Sequence, residues 1–187
     1  MTTTREKILA TTSQLMEAQG YAATGLNQII EESGSPKGSL YYYFPEGKEQ
    51  LTEEAIRQAG EMISEQMTAM LDAEENLAEA FGGFVDALSQ RLLSSGCRLG
   101  GPLTTVALET ANTSPRVNQV CQEMYRTWQE IFRARLERGG FSAERAASLA
   151  VFINAAIEGG IILSRTRHTA EPLLQVAREL RLLLSTE

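Results

Sequence analysis

A chain of 187 residues, 43% hydrophobic and only 6% aromatic, can bury a core without disulfides or a structural metal, and its abundant Ala, Leu, Glu and Arg favour helix. A formal net charge of -7 argues against a generic polyanion binder, which is normally basic. No apolar run approaches the roughly 20 residues of a spanning helix, the opening MTTTREKILATT lacks the order of a secretory leader, and Cys97 and Cys121, without a CxxC partner or histidine cluster, read as reduced thiols of a cytoplasmic protein.

Helical spacing dominates from the start. Ile8, Leu9, Leu15 and Met16 recur on one face after threonines at 2–4 that can cap the helix, and Gly20 suits its C-terminal stop. Tyr21 leads to Thr24, a natural cap for a short helix carrying Leu26, Ile29 and Ile30, which Gly34 ends. Ser35-Pro36 then supplies a cap followed by proline at the first helical position, where its missing N–H has no partner to lose. That helix runs only to about Tyr43 before Pro45 and Gly47 break it.

A long helix follows to about Asp72, and the pattern predicts further helices near 76–94, 102–111, 115–138, 143–166 and 171–184. Gly100-Gly101-Pro102 and Gly139-Gly140 are breaks, Ser114-Pro115 repeats the cap-then-proline start, and Ser142 is a cap. No strand-like alternation of useful length, internal repeat or low-complexity tract interrupts them. The expected fold class is all-α.

The stretch LNQIIEESGSPKGSLYYYF, Leu26 to Phe44, has the spacing of a helix-turn-helix, two short helices joined at Gly34. Leu40 and Phe44, four apart, anchor the second helix inward. Ser35, Lys37, Gly38 and Ser39 give its outer side small groups and one cation, which lets backbone approach DNA. Charge permits this without demanding it. Residues 1–48 hold four basic groups (Arg5, Lys7, Lys37, Lys48) against five acidic ones, and every later positive charge is arginine.

These residues, Thr24, Ile29-Ile30, Gly34, Ser35 through Phe44 and Lys48, resemble the TetR family of one-component regulators. The match covers about residues 8–52, and the helical layout extends it along the chain. The resemblance implies a three-helix DNA-binding domain at 1–48 and a ligand-binding and dimerisation domain at 49–187. It implies roles too. Thr24 caps the second helix and touches phosphate, Asn27 reaches a base edge, and Ser35 and Ser39 bond phosphate. Gly38 permits close approach, Lys37 contacts guanine or phosphate, Tyr41 and Tyr42 meet phosphates or thymine methyls, and Lys48 reaches phosphate from the next helix start. Tyr43 departs from the histidine many members carry. A packing role for Tyr41 and a solvated one for Lys7 compete with DNA contact.

In the remainder, the penultimate helix mixes Ala150, Ala155, Ala156, Gly159 and Gly160 with Leu149, Phe152, Ile153, Ile157 and Ile161, and the last is apolar on more than one face. Both features suit a homodimer reading two half-sites, and both suit burial within one chain. Met67, Phe84, Tyr125 and Trp128 can line an apolar ligand site, or form core. Glu109, Asn154 and Glu158 are polar residues within apolar helices. Facing a pocket, they favour a cationic ligand; facing solvent or a partner such as Arg165, they do not. The segment GCRLGGPLTTVALET before a Trp-bearing helix is similar to the LmrA/YxaF-type branch of the family.

His168 lies in a polar connection, no catalytic motif occurs, and neither cofactor nor metal is expected. The expectation is therefore a ligand-responsive regulator: a dimer on double-stranded operator DNA, released by a small apolar or cationic effector, with no membrane partner. A helical carrier or enzyme with a reader-like N-terminus is the alternative.

Overall fold

The computed structural model describes residues 3–185, which form nine helices and no strand. They are α1 (Thr4–Ala23), α2 (Leu26–Ser33), α3 (Lys37–Tyr43), α4 (Lys48–Asp72), α5 (Leu77–Ser94), α6 (Thr104–Thr110), α7 (Pro115–Arg138), α8 (Ala143–Arg167) and α9 (Glu171–Leu184). The chain divides into two compact units. One joins Met1–Met62 to Gly101–Met124; the other joins Ile63–Gly100 to Tyr125–Glu187. The start of α4, all of α6 and the start of α7 belong with the reader helices.

Several ends follow their local chemistry. Thr3 caps α1 in a reciprocal capping box with Glu6, whereas Thr2 lies outside the described residues. Ser142 caps α8, accepting from the Arg145 N–H. Gly140, at φ 97°, closes α7 with Phe141 N–H donating to the Leu136 carbonyl. His168 ends α8 in the same way from a left-handed conformation, with Thr169 N–H donating to the Ser164 carbonyl.

Three N-terminal boundaries differ from expectation. Gly20 adopts φ 88° and ψ 173°, and a further helical turn continues to Ala23 beyond that break. Thr24 does not cap α2: Gly25 occupies the cap, and the buried Thr24 hydroxyl donates back to the Gly20 carbonyl at 2.7 Å. Ser35 likewise makes no cap bond, because Pro36 stands at the cap and Lys37 opens α3. A side chain turned inward cannot also reach the N–H groups of the next turn.

The first unit's core gathers Ile8, Leu9 and Leu15 of α1, Ile29 of α2, Leu40 and Phe44 around α3, and Leu51 and Ala55 of α4. Residues from the later segment fasten onto it. Ser114 Oγ lies 2.5 Å from a Glu49 carboxylate oxygen, Arg116 pairs with Glu53 at 2.5 Å and with Glu46, and Arg57 meets Glu123 at 3.0 Å. Exposed pairs of this kind are each worth about 0–1 kcal/mol, so they orient more than they stabilise.

In the second unit α9 packs on α5 and on α8. Gly82 admits Arg181, whose guanidinium reaches Glu79 and Asp86 at 2.8 Å, and a Cβ at Gly82 would lie 2.4 Å from its Cζ. Phe132 packs against Phe81 and Phe84. Buried Arg135 closes the end of α4, donating to the carbonyls of Leu71, Glu74 and Glu75. By length and composition α8 could cross a membrane, but Leu149, Ile153, Ile157 and Ile161 are buried in this unit's core.

Candidate DNA interface

Gly34, at φ 62° and ψ 22°, makes the turn between α2 and α3 in a left-handed conformation that costs glycine little. With Ile29, Leu40 and Phe44 fixed in the core, the helical period turns other residues outward. Asn27, Lys37, Gly38, Tyr41 and Tyr42 are exposed, Ser39 is half-buried, and Tyr42 shows 79% of its surface to solvent. Nothing lies within 4 Å of a Cβ built on Gly38, so internal packing does not account for a glycine there. Tyr42 touches Tyr43 edge-on, with ring centroids 5.1 Å apart. The buried Ser35 hydroxyl finds no partner among the described residues.

Thr24 and Lys48 are both engaged within the first unit. The Thr24 hydroxyl is fully buried and engaged with Gly20. Lys48 is half-buried, its ammonium donating to the Tyr21 carbonyl at 2.6 Å and sitting 4.3 Å from the centre of the Tyr21 ring. Desolvation lowers the Lys48 pKa from the ordinary lysine value, while the carboxylate of Glu109 opposes that shift. Burial, with the Glu49 charge second, raises the Tyr21 phenol. Both cationic and aromatic partners thus serve the junction of α1 with α4.

Glu109 belongs to this junction. From α6 its Oε2 accepts the Ala22 N–H at 2.7 Å. The open backbone at Gly20 makes room for it, since a Cβ there would lie 2.2 Å from Glu109 Oε1 and 3.0 Å from Thr105 Cγ2. The sequence marked Gly20 as a stop and Glu109 as an oddity. Nothing in the local pattern pairs residues 87 apart, although a glycine inside an otherwise helical stretch was the available signal.

In the second unit, Met67, Phe84 and Trp128 are buried, and Trp128 donates its indole N–H to Ser64 Oγ at 3.1 Å while meeting Tyr125 edge-on. Tyr125, Asn154 and Glu158 are half-buried. An open groove of about 980 Å³ runs between the end of α4 and α7, floored by Leu71, Ile131 and Ala134 and rimmed by Asp72, Arg126 and Glu130 among others. None of the ligand-binding candidates lines it. On α8 and α9, Val151, Phe152, Ile162, Leu163, Leu182 and Leu183 remain exposed. Gly160 packs against Leu173 of α9, whereas Gly159 faces open space.

The chain matches the signature of bacterial regulatory proteins of the tetR family over residues 8–55. Over residues 78–179 it matches the C-terminal domain of LmrA/YxaF-like transcriptional regulators. It is 40% identical over 180 residues to the HTH-type transcriptional regulator YxaF of Bacillus subtilis, covering 96% of this chain and 94% of that protein. LmrA of the same organism is 41% identical over 173 residues, 92% of each. In three dimensions the chain is similar to the regulator CifR, a cysteine mutant solved with 26 bp of double-stranded operator DNA: TM-score 0.83 at 21% identity over 96% of both chains, a likeness of fold. The chain belongs to the TetR family of helix-turn-helix transcriptional regulators, with the LmrA/YxaF-like C-terminal domain.

Proposed function

We propose that the protein is a ligand-responsive repressor that binds a palindromic operator as a homodimer and leaves it when a small apolar or cationic molecule occupies the second unit. The outer face of α2 and α3 carries this reading. Asn27, Lys37, Gly38, Tyr41 and Tyr42 are all exposed, and internal packing does not account for the glycine at 38. Lys37 and Tyr42 contact phosphate or base edges, Asn27 reads a base, Gly38 admits the backbone, and the Ser35 and Ser39 hydroxyls bond phosphate. Thr24 and Lys48 act from behind, holding the end of α1.

The two-fold partner covers α8 and α9. Phe152, Leu163 and Leu182 are large apolar groups left in solvent, and Gly159 has room for another helix to approach. A dimer also supplies the two readers that half-sites about one helical turn apart require. The effector sits among Met67, Phe84, Tyr125, Trp128, Asn154 and Glu158, and the Glu158 carboxylate favours a cationic molecule. Glu109 drops out of that site because its carboxylate is spent on Ala22. Release follows from the effector's higher affinity for the DNA-free arrangement, and its extent is limited by that difference.

Retention on the DNA directly upstream of the protein's own gene, against a scrambled fragment of equal length at moderate salt, tests this reading. Replacing Lys37 and Tyr42 by alanine should abolish retention with folding unchanged. Unaltered retention would favour a helical carrier or enzyme instead.

A further inference from the structure

We propose that Glu109 is a positioning residue of the DNA reader, gripping one end of the Tyr21–Ala22 peptide group whose other end Lys48 holds. The inference rests on the DNA-binding reading above. Tyr21 contributes the carbonyl that accepts from Lys48 Nζ at 2.6 Å, and Ala22 contributes the N–H that donates to Glu109 Oε2 at 2.7 Å. Carbonyl and N–H of one trans peptide point in opposite directions, so the two side chains hold the group from α4 on one side and from α6 on the other.

The grip exists because α1 is interrupted. Gly20 leaves helical geometry just before this peptide group. Beside that break Glu109 supplies the Ala22 N–H with an acceptor from a distant segment. The same break provides the space, since any side chain at Gly20 would strike the Glu109 carboxylate. Ala23 and Thr24 follow directly, and Thr24 N–H returns to the same Tyr21 carbonyl at 3.3 Å before α2 begins at Leu26. The entry of the chain into the helix-turn-helix is therefore fixed by a carboxylate outside it. The nearby charges are Lys48, which the Glu109 carboxylate favours in its protonated form, and Glu49, which acts on Tyr21.

Two full-length variants separate reach from charge. Glu109→Asp keeps the charge but shortens the side chain by one methylene, and Glu109→Gln keeps the acceptor without the charge. On the upstream fragment we expect Glu109→Asp to lose about fivefold in affinity and Glu109→Gln to stay within about twofold of wild type, the bond being charge-assisted but solvent-exposed. Affinity for scrambled DNA should be unchanged in both. Exchange of the Ala22 amide hydrogen should quicken in the aspartate variant alone. Wild-type binding by Glu109→Asp would overturn the proposal, as would a larger loss in Glu109→Gln, or parallel loss of upstream and scrambled binding. Failure of the wild type itself to prefer the upstream fragment would instead overturn the DNA-binding reading.

Discussion

Lys48 and Glu109 hold opposite ends of one peptide group, the first through the Tyr21 carbonyl and the second through the Ala22 N–H. Residues from the start of α4 and from α6 thereby meet on the end of α1. Both belong to the same compact unit as α1.

Two glycines should respond oppositely to alanine. At Gly20, φ 88° and the close Glu109 oxygen make Gly20→Ala costly, by about 2–3 kcal/mol in denaturant melts. At Gly38 nothing is near, so Gly38→Ala should stabilise α3 by up to about 1 kcal/mol. It should still weaken retention on the upstream DNA about tenfold, through lost backbone approach. Equal stability effects would contradict this contrast.

Phe44 and Tyr42 stand two residues apart with opposite duties. Phe44 is fully buried and Tyr42 is 79% exposed. Phe44→Ala should cost about 3–5 kcal/mol of stability, whereas Tyr42→Ala should leave the melting curve within about 0.5 kcal/mol. Only the Phe44 variant should shift the thermal midpoint.

The exposed face of α8 predicts a change of assembly. Phe152 is 55% exposed, and a charge there would be desolvated in an apolar interface. Phe152→Glu should sediment as a monomer at concentrations where wild type is a dimer, with the far-UV circular dichroism spectrum retained. A dimeric variant would place the partner surface elsewhere.

Alkaline pH should weaken the fold through Cys121. Burial pushes its thiol from 9.0 up to about 12. Between those values the unfolded chain loses this proton while the folded chain keeps it, so stability falls as pH rises, by at most about 1.4 kcal/mol per unit. Denaturant titrations at pH 8 and pH 10.5 should show that fall in wild type, and a smaller one in Cys121→Ala. Identical pH dependence would exclude this origin.

The helix layout and the turn at Gly34 were legible because each carries a local cause. Examples are an apolar face repeating every three to four residues, a left-handed glycine, and the caps at Thr3 and Ser142. The inward set around Ile29, Leu40 and Phe44, and with it the outward face, followed from the same period. Thr24 suits a helix cap by residue type, yet Gly25 occupies the cap of α2. The Gly20 carbonyl takes up the Thr24 hydroxyl, and the Tyr21 carbonyl takes up the Lys48 ammonium from the start of α4, both through tertiary placement. Glu109 could be read as an unusual carboxylate, but its partner is a backbone N–H 87 residues away, beside a break in another helix. No local pattern encodes that pairing.

The central claim, that the outer face of α2 and α3 reads DNA, is tested most directly by equilibrium binding to the upstream fragment and to a scrambled fragment. Wild type and the Lys37→Ala, Tyr42→Ala double variant should be compared at one moderate salt concentration. Wild type should prefer the upstream fragment by at least about a thousandfold, and the double variant should lose this preference while melting at the wild-type temperature. Equal wild-type affinity for the two fragments, or an undiminished preference in the variant, would contradict it.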